Sequence, residues 1–284
     1  MRWGTIMLED GTKSAALMKD AGVVAVAEVN RRFNRALPTL LEDIIRMGLA
    51  SFIAEEIQKL GPEAITMTEG AVRVLAPMRQ PERIVGIGLN YRAHASDLDE
   101  QVPEEPATFL KPTSSIIGPG EAIVIPRVSQ RTTAEAEVAL VFGRTARDVP
   151  RAAWRDVVFG VVPVLDMTTE DILRKNPRFL TRSKGFDGFF SFGPWIATLD
   201  EFPELDPLWV NTVVNGGVRA QNQVSGMVYS LADLVEFITA GTTVGATAVL
   251  TTGTPGAAVI VPGDTVEARI DGMGALVNPV EASR

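Results

Sequence analysis

Residues 134–142 read AEAEVALVF, a run in which glutamates and apolar side chains alternate with a period of two. Because successive side chains of a β-strand point to opposite faces, every second residue from Ala136 to Phe142 lies on one face, and Glu135 and Glu137 lie on the other. Two carboxylates on one strand face repel each other unless water or a cation lies between them. A solvated strand face is the ordinary explanation of such a pair, and a cation site is the alternative.

Short β-rich runs of the same kind, separated by glycine and proline turns, continue through most of the chain. The predicted strands are Ile84–Gly88, Ala122–Ile125, Ala136–Phe142, Phe159–Leu165, Leu208–Val214, Ala248–Thr252, Thr265–Ile270 and Ala275–Val280. One amphipathic helix is predicted at Ser230–Thr239, where Ser230 is a suitable N-cap with Asp233 three residues later.

The first part of the chain has a different pattern. Its predicted strands are Gly4–Leu8, Ser14–Met18 and Val23–Val29, and helical spacing of apolar residues then predicts one helix at Leu40–Leu60, ending at Gly61-Pro62. We place a boundary near residue 78. The predicted fold is α+β and β-dominated, with a small N-terminal α/β domain (1–78) and a larger β domain (79–284).

Composition limits the classes of function. The 284 residues carry a net charge of -8, which argues against nucleic-acid binding, and contain no cysteine, which excludes disulfides and thiolate chemistry. The start of the chain has no apolar stretch typical of a signal peptide. Residues 237–263 are uncharged, but glycines and prolines interrupt them, so buried strands fit better than a membrane span. We expect a cytoplasmic protein.

A third acid is the last residue of the run VVPVLD (161–166), which is predicted to be a strand. Asp166 comes at the end of a buried run, and a buried carboxylate is costly without a partner. Three acids on rigid strands suit Mg²⁺, which prefers oxygen ligands. Zinc fits poorly, since the chain has one histidine and no cysteine.

The one histidine, His94, lies in GLNYRAHASDLD. A short helix capped by Asn90 would place His94 and Asp97 on one face, the arrangement of a general base oriented by a carboxylate. A surface histidine with a chance neighbour is the alternative. No G-x-S-x-G elbow occurs in the sequence, which argues against a serine hydrolase.

The order of several segments resembles the fumarylacetoacetate hydrolase family over residues 83–280. The segments are GLNYRAH (88–94), EEPATFLKPTSSIIGPG (104–120), AEAEVALVFGRTARDV (134–149), VLDMTTED (164–171), TRSKGFDGFFSFGPWI (181–196), VNG (214–216) and TTGTP (251–255). The resemblance implies a mixed β-roll core, usually in a homodimer, and the N-terminal segment resembles the small domain of longer bacterial members.

The resemblance also implies roles for residues. Mg²⁺, or else Mn²⁺ or Ca²⁺, would be held by Glu135, Glu137 and Asp166. His94, helped by Asp97, would be the catalytic base, and Lys184 would stabilise the substrate's oxygen or carboxylate. The implied substrate-binding positions are Tyr91, Arg92, Lys111, Arg182 and Thr254.

The sequence departs from the family pattern at three places. Many members have a glutamate where Asp97 stands, and many have an arginine, suited to gripping a substrate carboxylate, where Glu170 stands. A glutamate there is expected to repel a carboxylate, so either Arg92 or Arg182 substitutes or the substrate lacks that group. The TTGTP loop is also shorter than in the family.

The expected activity is hydrolysis of a carbon–carbon bond in a 1,3-diketo acid of the acylpyruvate kind, with an enolate held on the metal as leaving group. Decarboxylation of a 2-oxo acid and isomerisation of a 2-hydroxy-dienoate at the same site are the alternatives. A metal-binding protein with little catalysis is a further one, motivated by Glu170 and the shortened loop.

Overall fold

The computed structural model describes residues 1–19, 22–65, 67, 72–92 and 103–283. Within these ranges the chain is β-dominated and forms one sheet of thirteen strands and a second of five. The predicted α+β, β-dominated fold is confirmed. The first seven strands all belong to the large sheet. They are β1 Arg2–Met7, β2 Lys13–Lys19, β3 Gly22–Ala25, β4 Arg73–Leu75, β5 Ile84–Gly88, β6 Ala107–Lys111 and β7 Ile116–Ile117.

Two long antiparallel strands, β9 Thr132–Phe142 and β10 Val158–Thr169, form the centre of the large sheet. They follow β8 Ile123–Ile125, which belongs to the second sheet. They pair from Phe142 opposite Val158 to Thr132 opposite Thr169, with one register shift between Val158 and Gly160. Both strands are buried along nearly their whole length. Alternate side chains of β9 therefore lie on two faces that are both buried, and neither face is solvated.

The two faces of β9 belong to different apolar clusters. The side chains at 136, 138, 140 and 142 pack in the larger cluster, with residues of the C-terminal part. Ala139 and Val141, on the face that carries the glutamates, pack in a second cluster that includes Trp3 and residues of the first helices. The predicted division of AEAEVALVF into two faces is thus confirmed, and apolar packing on both sides fixes the strand.

The remaining strands complete the two sheets. The large sheet also contains β11 Phe190–Phe192, β12 Ile196–Thr198, β15 Val249–Thr251 and β16 Ala258–Ile260. The second sheet has the order β14–β13–β17–β18–β8, with β13 Trp209–Val214, β14 Gly217–Gln223, β17 Thr265–Ile270 and β18 Gly274–Ala282. All eight strands predicted after residue 83 are present, with bounds that agree to within a few residues.

The N-terminal strands extend the large sheet, because β1 pairs with β12 through Arg2 opposite Ala197 and Trp3 opposite Ile196. β1 also pairs with β2 and β4. Helices α1 Val26–Phe33, α2 Leu41–Arg46 and α3 Ala50–Leu60 pack beside these strands. The division at residue 78 stays a prediction; the sheet itself continues across it.

Two predictions for this region were wrong. The strand predicted at Val23–Val29 ends at Ala25, and α1 begins at Val26, where the Ser14 hydroxyl accepts a hydrogen bond from the Ala27 amide at 3.0 Å. The helix predicted at Leu40–Leu60 is two helices. Gly48, with φ of +66°, ends the first, because this left-handed conformation is open to glycine and stops the helix.

The later helices are α4 Trp154–Val157, α5 Glu170–Leu173, α6 Leu180–Lys184 and α7 Leu231–Thr239. The cap predicted for α7 is confirmed: Ser230 and Asp233 form a reciprocal capping box. Helices α5 and α6 follow β10 directly and position several residues of the candidate site. In the ranges that the structure describes, no helix is both long and apolar enough to cross a membrane.

Candidate metal centre and active-site cavity

Three carboxylates from the central pair of strands come together. Asp166 on β10 pairs directly with Glu135 on β9, and Glu137 lies two residues further along the same face of β9. One carboxylate oxygen from each of the three lies within 4.8 Å of the others, and all three residues are buried. The strand register alone therefore assembles the set that AEAEVALVF and VVPVLD predict.

Lys184, at the end of α6, bridges two of these acids. Its ammonium nitrogen lies 2.8 Å from Glu135 Oε2 and 2.9 Å from Asp166 Oδ2, and it donates to Thr168 Oγ1 at 2.7 Å. Burial by itself lowers the pKa of Lys184, but the negative charges of Asp166 and Glu135 outweigh burial and raise it. Lys184 is therefore a firmly protonated cation beside the carboxylates.

Lys111, the last residue of β6, contacts the other carboxylate oxygen of Asp166. Its ammonium nitrogen lies 2.5 Å from Asp166 Oδ1 and also donates to the backbone carbonyl of Lys184. Burial lowers the pKa of Lys111, against the opposing effect of Asp166. Asp166 is thus held by two lysines, one at each oxygen.

Glu137 has the least compensation of the three acids. Its Oε2 accepts a hydrogen bond from the Gly253 amide at 2.8 Å. Gly253 has φ of +89°, and a Cβ there would lie 2.8 Å from the Cβ of Asn90, so the TTGTP loop needs glycine at this point. Burial, together with the charge of Asp166, raises the pKa of Glu137 to about 8, against the opposing effect of Lys184.

The donor set fits a divalent cation. Burial and the neighbouring Asp166 raise the pKa of Glu137, and a further positive charge among the three carboxylates would favour the ionised form of all of them. The available ligands are oxygens, the donors that Mg²⁺, Mn²⁺ and Ca²⁺ prefer. Glu135, Glu137 and Asp166 are the residues that would hold such an ion.

A cavity of about 390 Å³ opens above the carboxylates. Its polar lining includes Glu135, Glu137, Lys184 and Thr254, and residues of α5 and of the segment after it also line it. The apolar lining residues are Ile87, Leu89, Ala107, Leu173, Pro177 and Leu180. A lining that combines charged groups with several apolar side chains suits a small organic acid with an apolar body.

Glu170, the first residue of α5, also lines the cavity. Its Oε1 accepts hydrogen bonds from Arg174 Nε at 2.9 Å and Arg174 Nη2 at 2.5 Å, and its Oε2 accepts one from Arg131 Nε. Burial raises the pKa of Glu170, but the hydrogen bonds from Arg131 and Arg174 together lower it below its ordinary value. The charge of Glu170 is therefore neutralised within the protein.

The other predicted substrate-binding residues take varied positions. Thr254 lines the cavity, while the hydroxyl of Tyr91 is buried and has no hydrogen-bond partner in the described part of the chain. Arg182 is exposed, with its guanidinium 5.9 Å from the centre of the Phe186 ring, and is not among the described residues that line the cavity. Arg92 is also exposed.

The predicted base and its partner, His94 and Asp97, lie outside the described residues, so their roles stay predictions. Hydrogen bonds of Asn90 hold the segment just before them. Asn90 Oδ1 accepts a hydrogen bond from the Tyr229 amide at 2.8 Å, and Asn90 Nδ2 donates to the Thr252 carbonyl at 2.8 Å. Asn90 thus fastens the start of the GLNYRAH segment to the TTGTP loop.

Three residues of the site were missed by the sequence analysis. Thr168 donates to Glu135 Oε1 at 2.9 Å, and Arg131 and Arg174 bind Glu170. The spacing of Glu170 and Arg174, four residues apart, is a signal that could have found one of these pairs. Arg131 comes from a distant segment, and no local pattern indicates its contact.

Comparisons with known proteins show the family to which the chain belongs. Residues 83–281 match the family model described as fumarylacetoacetate (FAA) hydrolase, C-terminal. The structure of maleylpyruvate hydrolase from Sphingobium sp. SYK-6, in complex with manganese(II) ion and pyruvate, is similar over 100% of both chains, with 26% identity and a TM-score of 0.83. The 5-carboxymethyl-2-hydroxymuconate delta-isomerase from Mycobacterium smegmatis is similar over 100% of both chains, with 31% identity and a TM-score of 0.76.

Fumarylacetoacetate hydrolase from psychrophilic Exiguobacterium antarcticum also matches over 100% of both chains, with 26% identity and a TM-score of 0.84. The family match covers well over half of the chain and includes all three carboxylates. The chain therefore belongs to the fumarylacetoacetate hydrolase family. Its named structural neighbours comprise both hydrolases and an isomerase.

Proposed function

We propose that this protein is a metal-dependent enzyme that hydrolyses a carbon–carbon bond in a 1,3-diketo acid of the acylpyruvate class. The observation that carries the proposal is the set of three buried carboxylates within 4.8 Å of one another, two of which line a cavity of about 390 Å³, beside the Lys184 ammonium. The similarity to a maleylpyruvate hydrolase whose structure holds manganese and pyruvate supports it.

The carboxylates Glu135, Glu137 and Asp166 would hold the ion, most simply Mg²⁺. When bound, a divalent ion supplies Lewis acidity and a fixed position for the oxygens of a 2-oxo acid. Thr168 keeps Glu135 in place through its hydrogen bond of 2.9 Å. Lys111 keeps Asp166 in place through the carboxylate oxygen that Lys184 does not contact.

Lys184 is the described residue best placed to act on the reacting group. Lys184 is one of the residues that line the cavity, and the acids beside its ammonium keep it charged. A fixed positive charge in a site shielded from water stabilises negative charge that develops on a substrate oxygen. In this proposal Lys184 stabilises such an oxygen, while His94 and Asp97 take the proton from the attacking water.

The reaction balances with water as the one co-reactant. The hydroxyl of water bonds to the carbonyl carbon far from the 2-oxo acid group, and the bond from that carbon to the methylene carbon breaks. The methylene carbon keeps the electron pair and receives a proton. The products are a carboxylic acid and a 2-oxo acid of the pyruvate kind.

Isomerisation of a 2-hydroxy-dienoate is a second candidate, favoured by the similarity to the Mycobacterium smegmatis isomerase at 31% identity. It would use the same ion and a proton shuttle, with no attack by water. Decarboxylation of a 2-oxo acid needs the same ion alone. The paired state of Glu170 weakens the case for a binding protein with little catalysis, because the cavity carries no unpaired glutamate there.

A substrate panel with and without Mg²⁺ tests the proposal. Acylpyruvates, oxaloacetate and 2-hydroxy-dienoates are incubated with the protein, and the products are identified by mass. Hydrolysis gives two fragments, decarboxylation gives loss of carbon dioxide, and isomerisation leaves the mass unchanged. Equal turnover of an acylpyruvate in metal-free and Mg²⁺-containing buffer would refute the metal-dependent scheme.

A further inference from the structure

One peptide group of the TTGTP loop is hydrogen-bonded at both of its ends. This group joins Thr252 to Gly253, and its carbonyl oxygen accepts a hydrogen bond from Asn90 Nδ2 at 2.8 Å. Its N–H donates to Glu137 Oε2, also at 2.8 Å. Asn90 and Glu137 therefore bind opposite ends of the same peptide group, although they lie far apart along the chain.

Glu137 is held differently from the other two acids of the metal centre. Lys111 and Lys184 form their ion pairs with those two acids. Glu137 is instead bonded by a backbone amide, that of Gly253. Its side chain is buried, so water contributes little to its orientation. The direction in which the Gly253 amide points consequently determines where Glu137 Oε2 lies.

The side chain of Asn90 is held in one orientation. It is fully buried, and its Oδ1 accepts a hydrogen bond from the Tyr229 amide at 2.8 Å. Its Nδ2 donates to the Tyr229 carbonyl at 3.1 Å as well as to the Thr252 carbonyl. A flipped amide would place Oδ1 against two carbonyl oxygens, so only the observed orientation satisfies all of these partners. The Asn90 backbone is fixed too, since its carbonyl accepts a hydrogen bond from the Val228 amide at 2.7 Å.

The loop on either side of the peptide group is also restrained. The amide and the hydroxyl of Thr252 both donate to the Val138 carbonyl, at 3.2 and 2.8 Å. A Cβ on Gly253 would lie 2.8 Å from Asn90 Cβ, so the loop packs directly against Asn90. A hydrogen bond accepted at a carbonyl polarises the peptide group and strengthens the bond that its N–H donates, by roughly 10–30%. The Asn90 contact therefore both orients and strengthens the donor to Glu137.

We infer that Asn90 is a positioning residue of the metal centre, which acts on Glu137 through the Thr252–Gly253 peptide group. The inference rests on the proposed function, in which Glu137 is a ligand of the ion. Asn90 touches neither the ion nor the substrate in this scheme. Loss of its side chain should therefore weaken metal binding although every ligand is still present. This role is distinct from the helix cap that the sequence predicts for Asn90.

The peptide group can be observed directly, because Thr252-Gly253 is the one Thr-Gly step in the sequence. Protein labelled with carbonyl-¹³C threonine and ¹⁵N glycine gives one peak in an HNCO spectrum, and this peak reports the Thr252 carbonyl and the Gly253 N–H together. In Asn90→Ala the Gly253 proton should move upfield, because its hydrogen bond to Glu137 weakens. Calorimetry with Mg²⁺ should show an affinity about 10- to 100-fold lower than that of the wild-type protein.

The matched control is Asn278→Ala. Asn278 on β18 is likewise fully buried, and its Nδ2 donates to two backbone carbonyls, those of Gly118 and Glu121, at 2.8 Å each. The control should lower stability in urea to a similar extent and leave the HNCO peak and the Mg²⁺ affinity unchanged. An unmoved peak or an undiminished affinity in Asn90→Ala, or an equal loss of affinity in Asn278→Ala, would overturn the inference and leave the proposed function standing.

The wild-type protein supplies a second measurement in case Asn90→Ala does not fold. Addition of Mg²⁺ should shift the Gly253 proton and the Thr252 carbonyl carbon together, with the dissociation constant that calorimetry gives. The reason is that a change at Glu137 passes through the peptide group to the carbonyl that Asn90 binds. A peak that stays in place while calorimetry detects binding would overturn the inference. If Mg²⁺ does not bind the wild-type protein at all, the proposed function is wrong and the inference falls with it.

Discussion

Lys111 and Asp166 form an ion pair in which both side chains are fully shielded from solvent, with 2.5 Å between the ammonium nitrogen and Oδ1. Such a pair is expensive to bury, but removal of one partner is costlier, because the other charge then stays in a medium of low polarity. The pair holds a proposed metal ligand to the end of β6. Stability and metal binding are therefore linked at this point.

Lys111→Met should lower the free energy of unfolding by about 3 kcal/mol, since methionine fills similar space but leaves Asp166 with Lys184 as its one remaining ion-pair partner. Urea unfolding in metal-free buffer measures the loss. Lys59→Met is the control, because Lys59 forms an exposed ion pair with Glu56 and its loss should change little. Equal effects of the two substitutions would contradict the assigned role of the buried pair.

Glu137→Gln should weaken Mg²⁺ or Mn²⁺ binding by at least about 100-fold, because loss of a ligand should exceed the 10- to 100-fold typical of residues that only support one. Turnover of any substrate found in the panel should fall in parallel. Isothermal calorimetry with each metal measures the affinity. Glu204→Gln, a change at an exposed glutamate, should leave it unaltered. Undiminished metal affinity in Glu137→Gln would remove Glu137 from the ligand set.

Thr168→Val should reduce metal affinity by about 10- to 100-fold without unfolding the protein. The hydroxyl of Thr168 donates to Glu135 and accepts from Lys184, so its loss leaves both groups less well oriented. Thr132→Val is the matched control, since this buried threonine on β9 shares its hydroxyl contact with Ser129 instead. The same metal titration serves for both variants, and identical affinities would show that Thr168 has no orienting role.

The ion pair of Arg79 and Glu121 should make part of the stability depend on pH. Arg79 Nη2 lies 2.6 Å from both Glu121 oxygens, and the Gly118 amide donates to Glu121 Oε2 at 2.7 Å. Burial raises the pKa of Glu121, but these hydrogen bonds outweigh burial and lower it. A carboxyl whose pKa is lower in the folded state stabilises the fold above its unfolded pKa of about 4.3, and this contribution disappears as the pH falls through the folded pKa.

Glu121→Gln should therefore cost about 1 kcal/mol at pH 7, a modest figure because both side chains are partly exposed. The difference from wild type should shrink as the pH falls below about 4. Urea unfolding at pH 7 and at pH 3 measures it. A difference that stays constant between the two pH values would show that the charge on Glu121 contributes nothing to stability.

Local patterns in the sequence were enough to predict the two faces of β9 and the N-terminal cap of α7. The alternation in AEAEVALVF is reproduced in the two faces of β9, and Ser230 and Asp233 form the predicted cap. These features depend on residues within a few positions of one another. Strand spacing and cap chemistry act over that same distance, so the sequence carries the information locally.

Features that depend on distant residues were harder to predict. The strand predicted at Val23–Val29 becomes α1 after Ala25, where Ser14 of a neighbouring strand binds the first turn. The repulsive character expected of Glu170 is offset by two arginines, and one of them, Arg131, comes from a distant segment of the chain. In both cases tertiary contacts decide a property that the local sequence leaves open.

The direct pairing of Asp166 with Glu135 has a consequence for folding fidelity. A slip of one residue between β9 and β10 would turn every side chain of the slipped strand to its opposite face, and would separate the acids onto two sides of the sheet. Only the native pairing then presents all three carboxylates to one ion. A divalent cation that is present during refolding would consequently stabilise the correctly paired molecules by mass action. Metal binding would then select the native register of the sheet over a slipped one.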